Sequence, residues 1–210
     1  MAENSVKILI VYYTLYGHTL QLARAVEEGA KGVPGVETML RRVEEFDIVK
    51  EKAIQGNPAV EQLWQEQQQI PVCSLDDLRA AHGAIFGSPT RFGNMAAQMK
   101  QLFDTMSGLW LNGEMEGKPG GVFTSTASTH GGQETTLITM MHPLLHLGMI
   151  VMGVPYSVEG MIHTEGRGGT PYGPSTTAGG QGELQPTPED LAIARALGKR
   201  VAEVATKLQA

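Results

Sequence analysis

Short apolar runs alternate with amphipathic helical stretches along this chain. Few folds other than a parallel sheet with helices on both faces satisfy that alternation. The first run is Val6, Ile8, Leu9, Ile10 and Val11, apolar at neighbouring positions as a strand covered on both faces requires. Others follow at 36–43, 83–87, 120–125 and 149–154. Between them the spacing predicts a helix over 19–32 with Leu22, Val26 and Ala30 on one face, broken by Val33-Pro34-Gly35. A short helix is expected at 75–81. Asn94 reads as the N-cap of a helix that buries Met95, Met99, Leu102, Phe103 and Met106 and closes at Gly108. The next helix spans 133–147, with Pro143 kinking it or marking its last turns. The last is capped by Thr187, with Pro188 at its first position, Asp190 at its third, and Leu191, Ala194, Leu197, Val201, Val204 and Leu208 facing inward.

The expected fold is α/β, a doubly wound five-stranded parallel sheet with helices on both faces, in a single domain over 1–210. Two stretches fall outside the pattern. Residues 44–72 are charged and glutamine-rich and read as a variable insertion, helical around 60–67. Residues 159–186 are glycine-rich without apolar periodicity and read as a long loop.

Charge and cysteine usage narrow the function. Sixteen basic against 22 acidic residues give a net charge of −6 with no basic cluster, which argues against nucleic acid as a partner. No apolar run nears the ~20 residues of a membrane span. The polar start MAENSVKILI lacks a basic region or cleavage site, and a cytoplasmic location is expected. One cysteine, Cys73, supports neither a disulfide framework nor a multi-cysteine metal site.

Three loops follow strands and carry chemistry: 14–19, 88–94 and 125–132. In doubly wound sheets, ligands sit beyond the carboxyl ends of strands. The first loop, TLYGHT, opens a helix whose free amides and dipole suit a phosphate. It has neither the lysine of a Walker loop nor a GxGxxG glycine pattern, so hydroxyls and amides would hold the anion without a permanent cation. Arg91 reads equally as a surface ion-pair partner or as a cation near a ligand. Trp110 reads equally as core filler or as an exposed ring for a flat substrate. On residue type alone His130 and His146 read as structural. His142 and His146 share a helix face, but no third metal ligand is evident. The methionines at 95, 99 and 106 read as core packing.

The stretches YYTLYGHT, GSPTRFGNMAAQMKQLFDTMSGLW, FTSTASTHGGQETT, HLGMIVMGVPYS and GGTPYGPSTTAGG together resemble the WrbA-type NAD(P)H:quinone oxidoreductases, flavodoxin-like FMN proteins. The resemblance implies FMN as cofactor, NADH or NADPH as co-substrate, a quinone as acceptor and a homotetramer. It implies that Thr14, Leu15, Tyr16, Gly17, His18 and Thr19 cradle the FMN phosphate. Pro89, Thr90, Arg91, Phe92 and Gly93 would line the isoalloxazine ring. Ser125, Thr126, Ala127, Ser128, Thr129, His130 and Gly131 would meet its pyrimidine edge and the ribityl chain, with His146 reaching the site from the following helix. Tyr16 would also contact NAD(P)H, and Trp110 would stack on the quinone. No side-chain nucleophile is implied, since the flavin carries the chemistry, with NAD(P)H and quinone alternating at one face. The rival readings are an electron-carrier flavodoxin and a nucleic-acid regulator or accessory protein. Against the first stand the Trp110 segment and the long glycine loop, expected to crowd or roof the flavin edge.

Overall fold

The computed structural model describes residues 5–162 and 169–209. Five parallel strands lie in the order β2-β1-β3-β4-β5. β1 (Val6–Tyr12) sends Ile8, Ile10 and Tyr12 to one face and Leu9 and Val11 to the other, and all five are fully buried. That two-sided burial is why its sequence is apolar at consecutive positions. α1 (His18–Lys31) leads to β2 (Val36–Arg42).

Residues 44–72 then hold a single turn, α2 (Asp47–Val49), running on as a π-helical turn at Lys50–Ile54, and α3 (Pro58–Gln67). The insertion begins on a buried polar knot: Tyr13 Oη donates to Glu45 Oε2 at 2.8 Å, and Gln98 Nε2 donates to both Tyr13 Oη and Glu45 Oε1. α4 (Leu75–Ala80), β3 (Gly83–Pro89), α5 (Ala97–Thr105) and α6 (Ser107–Leu111) follow. Next come β4 (Pro119–Thr126), α7 (Gln133–His146), β5 (Ile150–Val151), β6 (Ser175–Thr177) and α8 (Pro188–Gln209). α1 and α8 pack on one face of the sheet, and α4 to α7 cover the other.

Several expectations need correction. The run 149–154 does not make one strand. β5 pairs the start of β4 over only two residues, and β6, from within the presumed loop 159–186, pairs the end of β4 at Thr124–Thr126. One lane of the sheet is thus shared by two short strands, and residues 163–168 of the loop lie outside the described residues. Met1–Asn4, the polar start, lie outside them too.

Asn94 does not cap α5. Ala96 holds that position, and the Ser88 hydroxyl from the end of β3 accepts the Ala96 amide at 2.8 Å. Gly108 does not close the helix but sits inside α6. α8 buries Ile193, Ala202 and Ala205 alongside Ala194, Leu197 and Val201, while Leu208 is exposed. Its N-terminus follows the expected box: Asp190 N donates to Thr187 Oγ1 and Thr187 N to Asp190 Oδ2, each at 3.1 Å. Pro143 falls in the last turn of α7, whose helix runs on to His146.

At the amino end of the sheet, His82 N donates to Lys7 O and His82 Nδ1 accepts Lys7 N at 2.9 Å. Burial, with Lys118 and Lys7 nearby, holds this imidazole below its ordinary 6.5. The unfolded chain therefore takes up a proton before the folded one does. The contribution to stability is whole above 6.5 and is lost as pH falls through the folded value. Urea midpoints are expected to drop between about pH 7.5 and about pH 5.5, with a shallower slope in His82→Asn. Equal slopes in the two proteins would sink this assignment.

Candidate flavin cleft

The chain runs outward from β1 to β2 and then crosses back to β3, so a crevice opens between the carboxyl ends of β1 and β3. Register places the loops side by side there, with Tyr12 opposite Gly87 and Pro89 opposite Ser125. Hydrogen bonds tie them together. Tyr13 N donates to Gly87 O, Thr90 N to Ser125 O, and the Thr19 and Ser125 hydroxyls meet at 3.0 Å.

A cleft of ≈ 620 Å³ occupies this end of the sheet. Of the residues expected there, Thr14, Leu15, Tyr16, His18, Pro89, Thr90, Arg91, Ser125, Thr126 and Ala127 line it. Gly17 and Thr19 shape it without lining it. Gly17 is left-handed at φ 93°, and its amide donates to Thr14 Oγ1 at 3.0 Å, a turn that leaves the first amides of α1 aimed outward. Thr19 is fully buried and braces Ser125.

Ser128, Thr129 and His130 form an exposed loop beside the cleft, and Gly131 N closes it onto Ser128 O. Phe92 and Gly93 are the central residues of a tight turn between Arg91 and Asn94, at φ 54° and 76°. A phenylalanine in that conformation, wholly exposed, costs about 1–2 kcal/mol, and the sequence bore no sign of it. Arg91 has no carboxylate partner among the described residues. Its guanidinium rests on Thr90 O at 2.9 Å.

Trp110 and His146 are not brought here. With His142 they line a second cleft of ≈ 540 Å³, between α5, α6 and α7, that shares no residue with the first. Trp110 is 59% exposed, which resolves the choice between core filler and exposed ring. Cys73 is buried and its thiol is pushed up to about 12 by burial, with Asp77 adding to the effect, so it stays protonated and unreactive.

One wall of the first cleft was missed in the sequence: Ala59, Val60 and Leu63 of α3 with its cap Asn57, a stretch that carries no local sign of where it folds. The opposite wall, residues 178–182 in the turn after β6, belongs to the glycine-rich loop expected to roof the site.

The cleft suits a flavin mononucleotide. His18 is only 6% exposed, yet its Nε2 has no partner among the described residues, an unmet donor or acceptor beside the N-terminus of α1. The lining holds no carboxylate and one permanent cation, Arg91. A phosphate would satisfy the imidazole and the amides of the turn at once.

The family described as NADPH-dependent FMN reductase matches residues 6–164. The chain is 49% identical to an NAD(P)H dehydrogenase (quinone) of Geotalea daltonii, over 96% of this chain and 98% of that one. It is 50% identical to an enzyme of the same name from Geobacter metallireducens, over 97% and 99%. Among solved structures it resembles a flavodoxin, WrbA-like protein from Agrobacterium tumefaciens, at 25% identity and a TM-score of 0.66 over 97% and 99% of the two chains. An archaeal flavodoxin shares the fold, with a TM-score of 0.61 at 20% identity over 96% and 99%.

Proposed function

This chain belongs to the NADPH-dependent FMN reductase family, and we propose on that ground that it is an NAD(P)H:quinone oxidoreductase working through bound FMN. The observation that carries the reading is the cleft at the β1–β3 crossover, which unites three hydroxyl-bearing loops around an unmet buried imidazole. FMN, when bound, would supply two-electron transfer between NADH or NADPH and a quinone, and the two substrates would take turns at one face.

The chain's own residues bind and orient. Thr14 to Thr19 hold the phosphate, with Thr14 and Gly17 setting the turn and His18 reaching inward. Pro89, Thr90 and Arg91 would lie along the ring, beside the exposed turn of Phe92 and Gly93. Ser125, Thr126 and Ala127 would lie near its polar edge, with the loop 128–131 beside them, where donors would offset negative charge as it develops. Tyr16, 60% exposed at the rim, would meet the nicotinamide. Delivery of electrons in pairs spares the cell one-electron quinone radicals, so we read the role as protection against quinones, in the cytoplasm. Among the described residues no helix is long and apolar enough to cross a membrane.

Trp110 and His146 would serve the same chemistry if another copy of the chain presented them to the flavin. The family resemblance implies a homotetramer, which would allow this, and light scattering returning a monomer would refute that part.

The enzyme reading is tested by adding FMN to purified protein and following flavin emission, then NAD(P)H oxidation with benzoquinone. Quenched emission and quinone-dependent turnover are expected, whereas an electron carrier would show almost no turnover. Trp110→Ala is expected to lower kcat/KM for the quinone about 3- to 10-fold without changing FMN affinity, the scale of one lost aromatic stack. Unchanged quinone kinetics would remove Trp110 from the site.

A further inference from the structure

We propose that α3 closes the phosphate end of the cleft, so that the chain selects a flavin mononucleotide over a dinucleotide such as FAD and releases it slowly. The inference rests on reading the cleft as the FMN site, and it assigns a purpose to residues 44–72.

The insertion is an excursion whose two ends meet. It leaves the carboxyl end of β2 and returns beside it, where Arg42 N donates to Pro71 O at 3.0 Å and Cys73 N to Arg42 O at 2.8 Å. Because β2 is the neighbour of β1, the excursion emerges next to the phosphate turn. α3 lies directly on it. A Cβ placed on Gly17 would come 3.2 Å from Leu63 Cδ2.

α3 is held rather than draped. The Trp64 ring faces the Arg42 guanidinium at 5.5 Å and the Lys50 ammonium at 5.9 Å. Arg42, nine-tenths buried, also donates to Gln68 Oε1 at 3.0 Å and Ile70 O at 3.1 Å. The Asn57 side chain caps the helix by accepting Val60 N.

The other flank is the turn at 178–182, whose Gly182 brings the site of a Cβ to 3.5 Å from His18 Cε1. Ala178 N donates to Thr126 O at 2.7 Å and Leu184 N to Ala178 O at 2.8 Å, so this flank is pinned as well. A phosphate at the start of α1 therefore sits between two built walls. A monoester ends there. A dinucleotide must continue through a second phosphate into an adenosine, and on the α3 side it meets Val60 and Leu63, with Glu61 between them in sequence and no cation on the helix to pair with that second charge.

The test compares FMN, FAD and riboflavin by quenching of flavin emission, with stopped-flow dissociation of FMN, in the natural chain and in Val60→Ala/Leu63→Ala. The natural chain is expected to bind FMN at least about 100-fold more tightly than FAD. The double variant is expected to narrow that ratio about 10-fold and release FMN about 10-fold faster, with riboflavin affinity unchanged. If the double variant lacks native circular dichroism, Asn57→Ala, which removes the cap on the first turn of α3, is measured against the same expectations. A folded variant that keeps both the natural ratio and the natural release rate overturns the inference. So does a natural chain that binds FAD as tightly as FMN. A natural chain that quenches no flavin refutes the functional reading itself, a different result from either.

Discussion

Gly198→Val is expected to cost about 3 kcal/mol of stability, a large share of what a marginally stable protein has to lose. α8 crosses α1 with the two backbones touching. A Cβ at 198 would fall 1.9 Å from Val26 O, and one at Gly29 would fall 2.0 Å from Arg195 O. Neither obstacle is a side chain that can swing aside, so any added carbon must push the helices apart. That separation opens the layer in which Leu22, Val26, Leu197 and Val201 are fully buried. Urea unfolding of Gly198→Ala and Gly198→Val gives the answer. Helix propensity alone favours alanine over glycine by about 1 kcal/mol, so the two effects oppose each other in sign. Stabilisation by the alanine would show that the helices are not in backbone contact.

His18→Ala is expected to weaken FMN binding about 10- to 150-fold and to leave riboflavin binding as it was. The range is that of a hydrogen bond to a charged group, about 1.5–3 kcal/mol. The imidazole is buried, its Nε2 is unmet, and it stands at the first position of α1 within a wall free of carboxylates. On the proposed reading a ligand's phosphate would be its partner. Riboflavin carries the same ring system without that group, so it serves as the internal control in a fluorescence titration. Equal losses for both flavins would mean that His18 acts by packing the cleft and not by holding the phosphate.

Comparison of sequence and structure separates two kinds of information. The Thr187–Asp190 box, the turn at Thr14–Gly17, the helical stretch within 44–72 and the burial of Met95, Met99 and Met106 were all legible, because each depends on neighbours a few residues away. The errors have a common source too. Asn94 has the chemistry of an N-cap, but Ser88 reaches Ala96 from the end of a strand and takes the role. The run 149–154 has the composition of a strand, but β4 pairs with only two of its residues before Ser175–Thr177 takes over the lane. The inner face of α8 turns toward Ile193 and Ala205 because α1 approaches at Gly198 and sets which side is covered.

The candidate site divides in the same way. From the sequence alone came a parallel α/β sheet, the three loops that end its strands, and the turn at Thr14–Gly17, since periodicity, caps and turn residues act within one or two helical turns of chain. Only the tertiary structure decided that α3 packs on the turn at Thr14–Gly17 and that Trp110 and His146 open into a different cleft. Those placements follow from which strand ends lie side by side in the order β2-β1-β3-β4-β5. That order is settled by packing between segments far apart in the chain, which no local pattern encodes.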